Sequence, residues 1–289
     1  MEDKNSIDII QKLKNDYVNL SKSHKLIADY LLLNYEKAAF MTASRLGEMT
    51  GVSEATVVRF ANNLGFDGYP KFKRALQNII KTKLTTIQRI DMSQKKLNNR
   101  CLIKNILNSD IDNIRYTLEE FNEINFERVV DLVVNANNIY IVGFRTTTIL
   151  TEYLGYYLNL ILDNVKVINN GVGDIYEQTI RAKEGDLVIG VSFPRYSAKT
   201  YETIEYLKEK GLNIVAITDN EMSPITKLCE YYLIAKSNII SFVDTLVAPL
   251  SLLNALIIAV GLRNEDKTKK IFNELEKVWA EHYIYAKEE

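Results

Sequence analysis

Histidine is nearly absent: His24 and His282 are the whole supply among 289 residues. That argues against a histidine-based metal centre and against a nucleophile–histidine triad. Cysteine is as scarce, and Cys101 and Cys229 stand far apart with no ligand spacing around either. They read as reduced thiols of a cytosolic protein, not as a disulfide framework. There is no run of eighteen apolar residues, and the opening stretch MEDKNSIDII is acidic where a signal peptide would be basic and then apolar. The expectation is a cytoplasmic protein with no membrane partner. A charge of one sign is missing too. The formal net charge is −1, so only its local distribution can speak of nucleic acid. Apolar content of 47% and charged content of 25% are those of an ordinary globular protein, long enough for one large domain or two modest ones.

What is present is concentrated first in residues 43–64, ASRLGEMTGVSEATVVRFANNL. The spacing predicts two short helices joined by a tight turn. Thr42 caps the first helix, whose inward face is given by Leu46 and Met49, while Gly47 is small where two helices approach. Gly51 supplies the turn, Val52 plugs the corner and Ser53 caps the second helix. Val57, Phe60, Ala61 and Leu64 recur at spacings of three and four as one buried stripe. The opposite face carries Glu54, Thr56, Arg59, Asn62 and Asn63. This is a helix-turn-helix pattern, in which the second helix enters the DNA major groove. An ordinary αα-hairpin shares that spacing, but the charge separates the two. Over residues 42–83 seven Lys/Arg face three acids, a net +4, which leaves the remainder at −5. A break at 65–70, GFDGYP, leads directly into Lys71, Lys73 and Arg74, a phosphate-binding footprint.

In front of this motif, Ile9, Leu13 and Leu20 have helical spacing, and Ser21 or Ser23 caps a second helix that ends near Asn34. Behind it come a helix over 71–83, a polar linker around 93–100 (SQKKLNNR) and a helix over 102–122 with Ile103, Ile106, Leu107, Ile111, Ile114 and Leu118. That stripe suits either a partner chain or the second domain. From about 126 the texture alternates. Strands are expected over 138–142, 165–168, 186–191, 213–218 and 231–235. Helices are expected over 147–162, 173–182, 198–210, 224–229, 244–262 and 268–286. Strands apolar on both faces, alternating with helices, make a parallel sheet covered on both sides.

Ligands of such sheets sit beyond the C-terminal strand ends, over helix N-termini. Two loops fit. Gly143-Phe144-Arg145-Thr146-Thr147-Thr148 offers a turn, hydroxyls and a guanidinium. Ser192-Phe193-Pro194-Arg195-Tyr196-Ser197-Ala198-Lys199-Thr200 repeats the logic. Hydroxyls at helix starts also serve as plain caps, and arginines as surface ion pairs; two such loops together favour an anion site. A dinucleotide site is not expected, because Arg145 stands where the second glycine of G-x-G-x-x-G would be.

The stretch AAFMTASRLGEMTGVSEATVVRFANNLGFDGYPKFKRAL, residues 38–76, resembles the RpiR/MurR family of bacterial transcription regulators. The 143–148 loop, the 192–200 loop and AITDNEMSPITKLCEYYL (216–233) match the layout of that family's sugar isomerase (SIS) domain. The resemblance implies an all-α helix-turn-helix domain over 1–83, a helical linker over 84–125 and an α/β SIS domain over 126–289. It implies a homodimer or homotetramer that binds double-stranded operator DNA and senses a small anionic metabolite of phosphosugar type. The family's usual loops are G-x-G-x-S and S-x-S-G-x-T. Here Arg145 replaces a glycine, Thr147 takes the serine position, Ser192 and Thr200 match loosely, and Arg195 and Tyr196 are additions. Two added guanidiniums suit a more anionic ligand or a carboxylate, and Tyr196 can stack on or hydrogen-bond a ring.

The expected DNA-facing residues are therefore Ser53, Glu54, Thr56, Arg59 and Asn63, with Lys71, Lys73 and Arg74 on phosphates. The expected ligand residues are Gly143, Arg145, Thr146, Thr147, Ser192, Arg195, Tyr196, Ser197 and Thr200. No metal, cofactor or catalytic residue is expected. The competing reading is a sugar-phosphate isomerase, which needs a base; Glu152 and Glu177 are its candidates. A third is an interaction module whose hydroxyl loops are only caps.

Overall fold

The computed structural model describes residues 9–83, 85–90, 101–171, 173–238 and 241–285. The expected linker at 93–100 lies outside them. The chain parts into two compact units between Gln88 and Arg89.

The first unit is helical: α1 (Ile9–Asp16), α2 (Lys22–Ala38), α3 (Ala43–Thr50), α4 (Glu54–Asn63) and α5 (Gly68–Lys83). Ser21 caps α2 by accepting from the His24 N–H. The helix runs beyond the expected end at Asn34, but Asn34 leaves helical geometry (φ −137°, ψ 28°) and bends it. Helix α5 begins ahead of Pro70, which sits in the first turn, where no N–H donor is needed. Ile9, Leu13, Ile27, Leu31, Leu46, Phe60, Phe72 and Leu76 are all buried. Phe60 meets Phe72 edge-on at 5.9 Å. The Tyr69 hydroxyl reaches the Met41 carbonyl, and burial pushes its pKa up to about 12.

Beyond Arg89, the second unit contains α6 (Leu102–Glu119) and α7 (Glu123–Asn135), followed by β1 (Ile139–Val142), α8 (Thr148–Ile161) and β2 (Val165–Ile168). Next come α9 (Ile175–Gln178), β3 (Leu187–Val191), α10 (Ala198–Glu209), β4 (Asn213–Thr218), β5 (Tyr231–Ile234), α11 (Val247–Arg263) and α12 (Glu265–Glu281). The strands form one parallel sheet in the order β2-β1-β3-β4-β5. Strands β1 and β3 are buried at every position, as their apolar sequences require. On one face Ile141, Ile189 and Val215 pack under Leu154, Leu158 and Leu256. On the other, Val142, Val188 and Ala216 pack under Ile204 and Leu207 of α10.

Helices α9 and α11 depart from their expected bounds. Helix α9 is a single turn: Asp174 and Glu177 close its start as a capping box, and the Thr179 hydroxyl turns back to the Ile175 carbonyl at its end. Helix α11 begins at Val247, because Asp244 and Thr245 are engaged in side-chain hydrogen bonds before it. The apolar stripe of α6 does not pack into its own unit. Ile103 and Leu118 are each 73% exposed, while the buried residue of this helix is Asn113. Among the described residues no single helix is long and apolar enough to cross a membrane.

Candidate nucleic-acid interface and ligand site

The turn between α3 and α4 is built as the residue types dictate. The Thr42 hydroxyl accepts from the Arg45 N–H at 3.1 Å, and Ser53 accepts from Thr56 at 3.3 Å. Gly51 has φ +68°, and a Cβ on Gly47 would lie 2.7 Å from the Val52 carbonyl oxygen. Met49 is a correction. It is 44% exposed, because α3 turns Leu46, Gly47 and Thr50 inward, with the Thr50 hydroxyl donating to Leu46.

Helix α4 buries Val57, Phe60 and Ala61 and leaves Glu54, Arg59 and Asn63 exposed. Its outer face is pre-ordered. The Ser53 and Thr56 hydroxyls lie 2.9 Å apart, and the Arg59 guanidinium donates to Thr56 at 3.2 Å. One polar row thus runs along the helix face at spacings of three. Asn62 is spent elsewhere, since its side-chain oxygen accepts from the Gly68 N–H. Lys71 is exposed and pairs with Asp67 at 2.9 Å; Lys73 is half-buried and Arg74 exposed. Two contributors escaped the sequence reading. Lys12 donates to the Leu64 carbonyl at the end of α4, where a cation complements the helix dipole. His24 packs edge-on against Phe60 at 5.4 Å, and burial, helped by the nearby Arg59 charge, lowers its pKa.

In the second unit both expected loops lie at the C-terminal ends of β1 and β3, as parallel-sheet topology requires. A hydrogen bond joins them: the Phe144 N–H donates to the Thr200 hydroxyl at 3.2 Å. The named residues divide into two sets. Thr147 and Thr200 are buried beneath the loops, and the Thr147 hydroxyl donates to the Phe144 carbonyl. Gly143 is also inside: a Cβ there would lie 2.8 Å from both Thr151 and the Val191 carbonyl oxygen. Ser197 caps α10 by accepting from the Thr200 N–H. Arg145, Thr146 and Arg195 are on the exposed side. Among the described residues no side-chain hydrogen bond caps the start of α8, which follows Arg145 and Thr146 in the chain.

Tyr196 points the other way from a free ring. Its hydroxyl donates to Asp219 at 2.8 Å and accepts from Asn220 at 3.0 Å, and burial with the Asp219 charge raises its pKa. Beside it, Ser192, Thr218 and Asp219 are buried, each with a side-chain oxygen that has no hydrogen-bond partner among the described residues. Lys199 was also missed. It donates to Asn170 in the loop after β2 and stands 4.8 Å from the centre of the Phe144 ring. Of the candidate bases, Glu177 is held in its capping box and Glu152 is exposed on α8. A cavity of about 260 Å³ opens at the opposite, N-terminal end of the strands, lined by Arg128, Asp131 and Tyr231 among others.

The helix-turn-helix domain model of the rpiR family matches residues 7–83, and the SIS domain model matches residues 132–259. The chain belongs to the RpiR family. That family joins helix-turn-helix transcription regulation to a SIS domain. An uncharacterized HTH-type transcriptional regulator of Haemophilus influenzae is 28% identical over 229 residues, 78% of this chain and 79% of that protein. One of Clostridium perfringens is 24% identical over 227 residues, 78% of this chain and 80% of that protein. Among solved structures, the sugar isomerase domain of an RpiR transcription factor from Sphaerobacter thermophilus has a TM-score of 0.59 at 22% identity. It covers 62% of this chain and 99% of that chain. The Vibrio vulnificus NanR protein, complexed with ManNAc-6P, has a TM-score of 0.56 at 22% identity, covering 97% of this chain and all of that one. At these identities the likeness is one of fold. Arg145 adopts a φ of +65°, a conformation that glycine favours.

Proposed function

We propose that this RpiR-family regulator reads operator DNA with α4 and senses a phosphosugar or related anionic metabolite at the 143–148 and 192–200 loops. In this reading residues 1–83 form the DNA-binding domain, 126–289 the ligand domain, and 84–125 join them. The observation that carries the DNA half is the ordered Ser53–Thr56–Arg59 row on the exposed face of a helix whose other face is buried. Arg59 suits guanine in the major groove, Asn63 suits adenine, and Lys71, Lys73 and Arg74 supply phosphate contacts.

The ligand half rests on Arg145 and Thr146 ahead of a helix start that no side-chain hydrogen bond caps, and on Arg195 exposed in the second loop. Backbone N–H groups and two guanidiniums favour a phosphate or carboxylate there. NanR's ManNAc-6P makes amino-sugar phosphates a natural first set of compounds to try. The buried oxygens of Ser192, Thr218 and Asp219 sit at the adjoining strand ends and suit a hydroxylated ligand. With Glu177 committed to capping and Glu152 on the surface, the protein senses sugars without converting them. The exposed apolar face of α6, which includes Ile103, Leu107, Ile111 and Leu118, fits a second copy of the chain. A dimer would then present two copies of α4 to a pseudo-palindrome, acting in the cytoplasm where the DNA is.

Selection from random DNA, followed by thermal-shift screening against ManNAc-6P, other phosphosugars and sugar acids, tests both halves. Enrichment of a two-fold symmetric sequence and a raised Tm with one compound class are the expected results. No enriched sequence would sink the regulator reading; turnover of a phosphosugar would restore the isomerase.

A further inference from the structure

Arg89 is the first residue of the second unit and is only 6% exposed. It lies on the helical turn 86–90, whose start is closed by reciprocal Thr85–Gln88 hydrogen bonds. Its guanidinium donates to one carboxylate oxygen of Asp244 at 3.1 Å. The other oxygen of Asp244 accepts from the Thr146 hydroxyl at 3.3 Å. Thr146 belongs to the 143–148 loop and follows Arg145 directly. One carboxylate therefore holds both the residue at which the ligand unit begins and the loop proposed to hold the anion.

Asp244 sits in the segment between β5 and α11, and that segment is itself tied to α6. Asn113 accepts from the Asn238 N–H at 2.9 Å, and Thr117 accepts from the Lys236 N–H at 2.8 Å. Thr245 donates to Asp110 at 2.6 Å, and Lys236 pairs with Glu120. The buried face of α6 is thus made of polar links to this segment, while its apolar stripe faces outward. A buried arginine–carboxylate pair is a poor device for stability alone, because desolvation offsets the attraction; its better-attested use is to fix one arrangement against another.

We propose that Asp244 is a positioning residue that couples the state of the 143–148 loop to the seating of Arg89. A threonine hydroxyl has one proton to donate. Thr146 gives it either to Asp244 or to an anion bound beside Arg145, and an anion there also repels the Asp244 carboxylate. Occupancy of the loop therefore frees Asp244 from Thr146 and loosens its hold on Arg89, where the chain leaves for the DNA-binding unit. That the coupling serves signalling rests on the anion reading of the loop; the coupling itself does not.

The test is hydrogen exchange of the Arg89 Nη–H protons, one of which holds Asp244, followed by NMR in the full-length chain with nitrogen-labelled arginine and assigned by their loss in Arg89→Lys. The variant is Thr146→Val, which removes an exposed hydroxyl and leaves Arg89 and Asp244 in place. Exchange should be about two- to tenfold faster, the ratio that one hydrogen bond is worth. Inorganic phosphate at millimolar concentration should speed exchange in the wild type and do so less in Thr146→Val, where only the charge repulsion remains. Unchanged Arg89 exchange in Thr146→Val would overturn the coupling, whatever phosphate does to the loop. Faster exchange in Thr146→Val with no response of the wild type to phosphate, or to any member of the thermal-shift panel, would uphold the coupling and remove the anion reading instead.

Discussion

The backbone N–H of Phe144 donates to the hydroxyl of Thr200, 56 residues further along the chain, and so locks the loop after β1 to the first turn of α10. Both partners are buried. Thr200→Val keeps the shape and leaves that N–H without an acceptor. It should cost about 1–3 kcal/mol of stability in the ligand unit and weaken anion binding with it. Thr200→Ser, which restores an acceptor, should recover most of both. Chemical unfolding and ligand titration of the two variants check this.

Arg145 holds a left-handed backbone conformation that costs a non-glycine residue about 1–2 kcal/mol. Glycine relieves that strain but adds unfolded-state entropy of similar size, roughly 0.5–1 kcal/mol. Arg145→Gly should therefore leave Tm close to wild type. If the guanidinium is there for the ligand, the same variant should lose binding of the effector by about tenfold or more, as loss of a charge-assisted hydrogen bond predicts. Unchanged affinity would remove Arg145 from the site.

Arg59 and Lys71 should fail in different ways. Arg59→Ala should cost about 1–3 kcal/mol on the preferred operator and relax base choice at one position. Lys71→Ala should weaken all DNA alike and lower the salt slope by about one unit. Binding titrations on matched and mismatched duplexes across salt separate the two. Equal operator affinity in both variants would refute the assignment of α4.

His24 makes the helix-turn-helix unit acid-sensitive. Its pKa in the folded chain lies below the ordinary 6.5, because it is half-buried against Phe60 with Arg59 nearby. A lowered folded-state pKa means that the unfolded chain binds the proton first. Stability is complete above about pH 6.5 and drains as pH falls through the folded value. Unfolding of the first unit followed from about pH 7.5 to 5 should show that loss, and His24→Gln should flatten it.

Much of this was legible in the sequence because it is local. Thr42, Gly51 and Ser53 fix the turn within a dozen residues, and each cap bond spans three. The strands were legible because β1 and β3 are apolar at every position. What escaped depends on partners far along the chain. Thr200 reads as a ligand hydroxyl until Phe144 is seen to use it, and Asp244 reads as the start of a helix until Thr146 and Arg89 are seen to hold it. Met49 failed for a subtler reason: in an eight-residue helix one residue of rotation decides which side chain faces in, and Thr50 took the place. Helix α6 shows the apolar period correctly; that its stripe faces away from its own unit is a property of the fold around Asn113.

The most direct test of the central claim is fluorescence anisotropy of the full-length protein on its selected operator, across salt, with and without the stabilising phosphosugar. The expected result is tight, sequence-selective binding that falls steeply with salt and changes several-fold when the sugar is added. Binding that does not distinguish the operator from scrambled DNA, or selective binding that the sugar leaves unaltered, would contradict it.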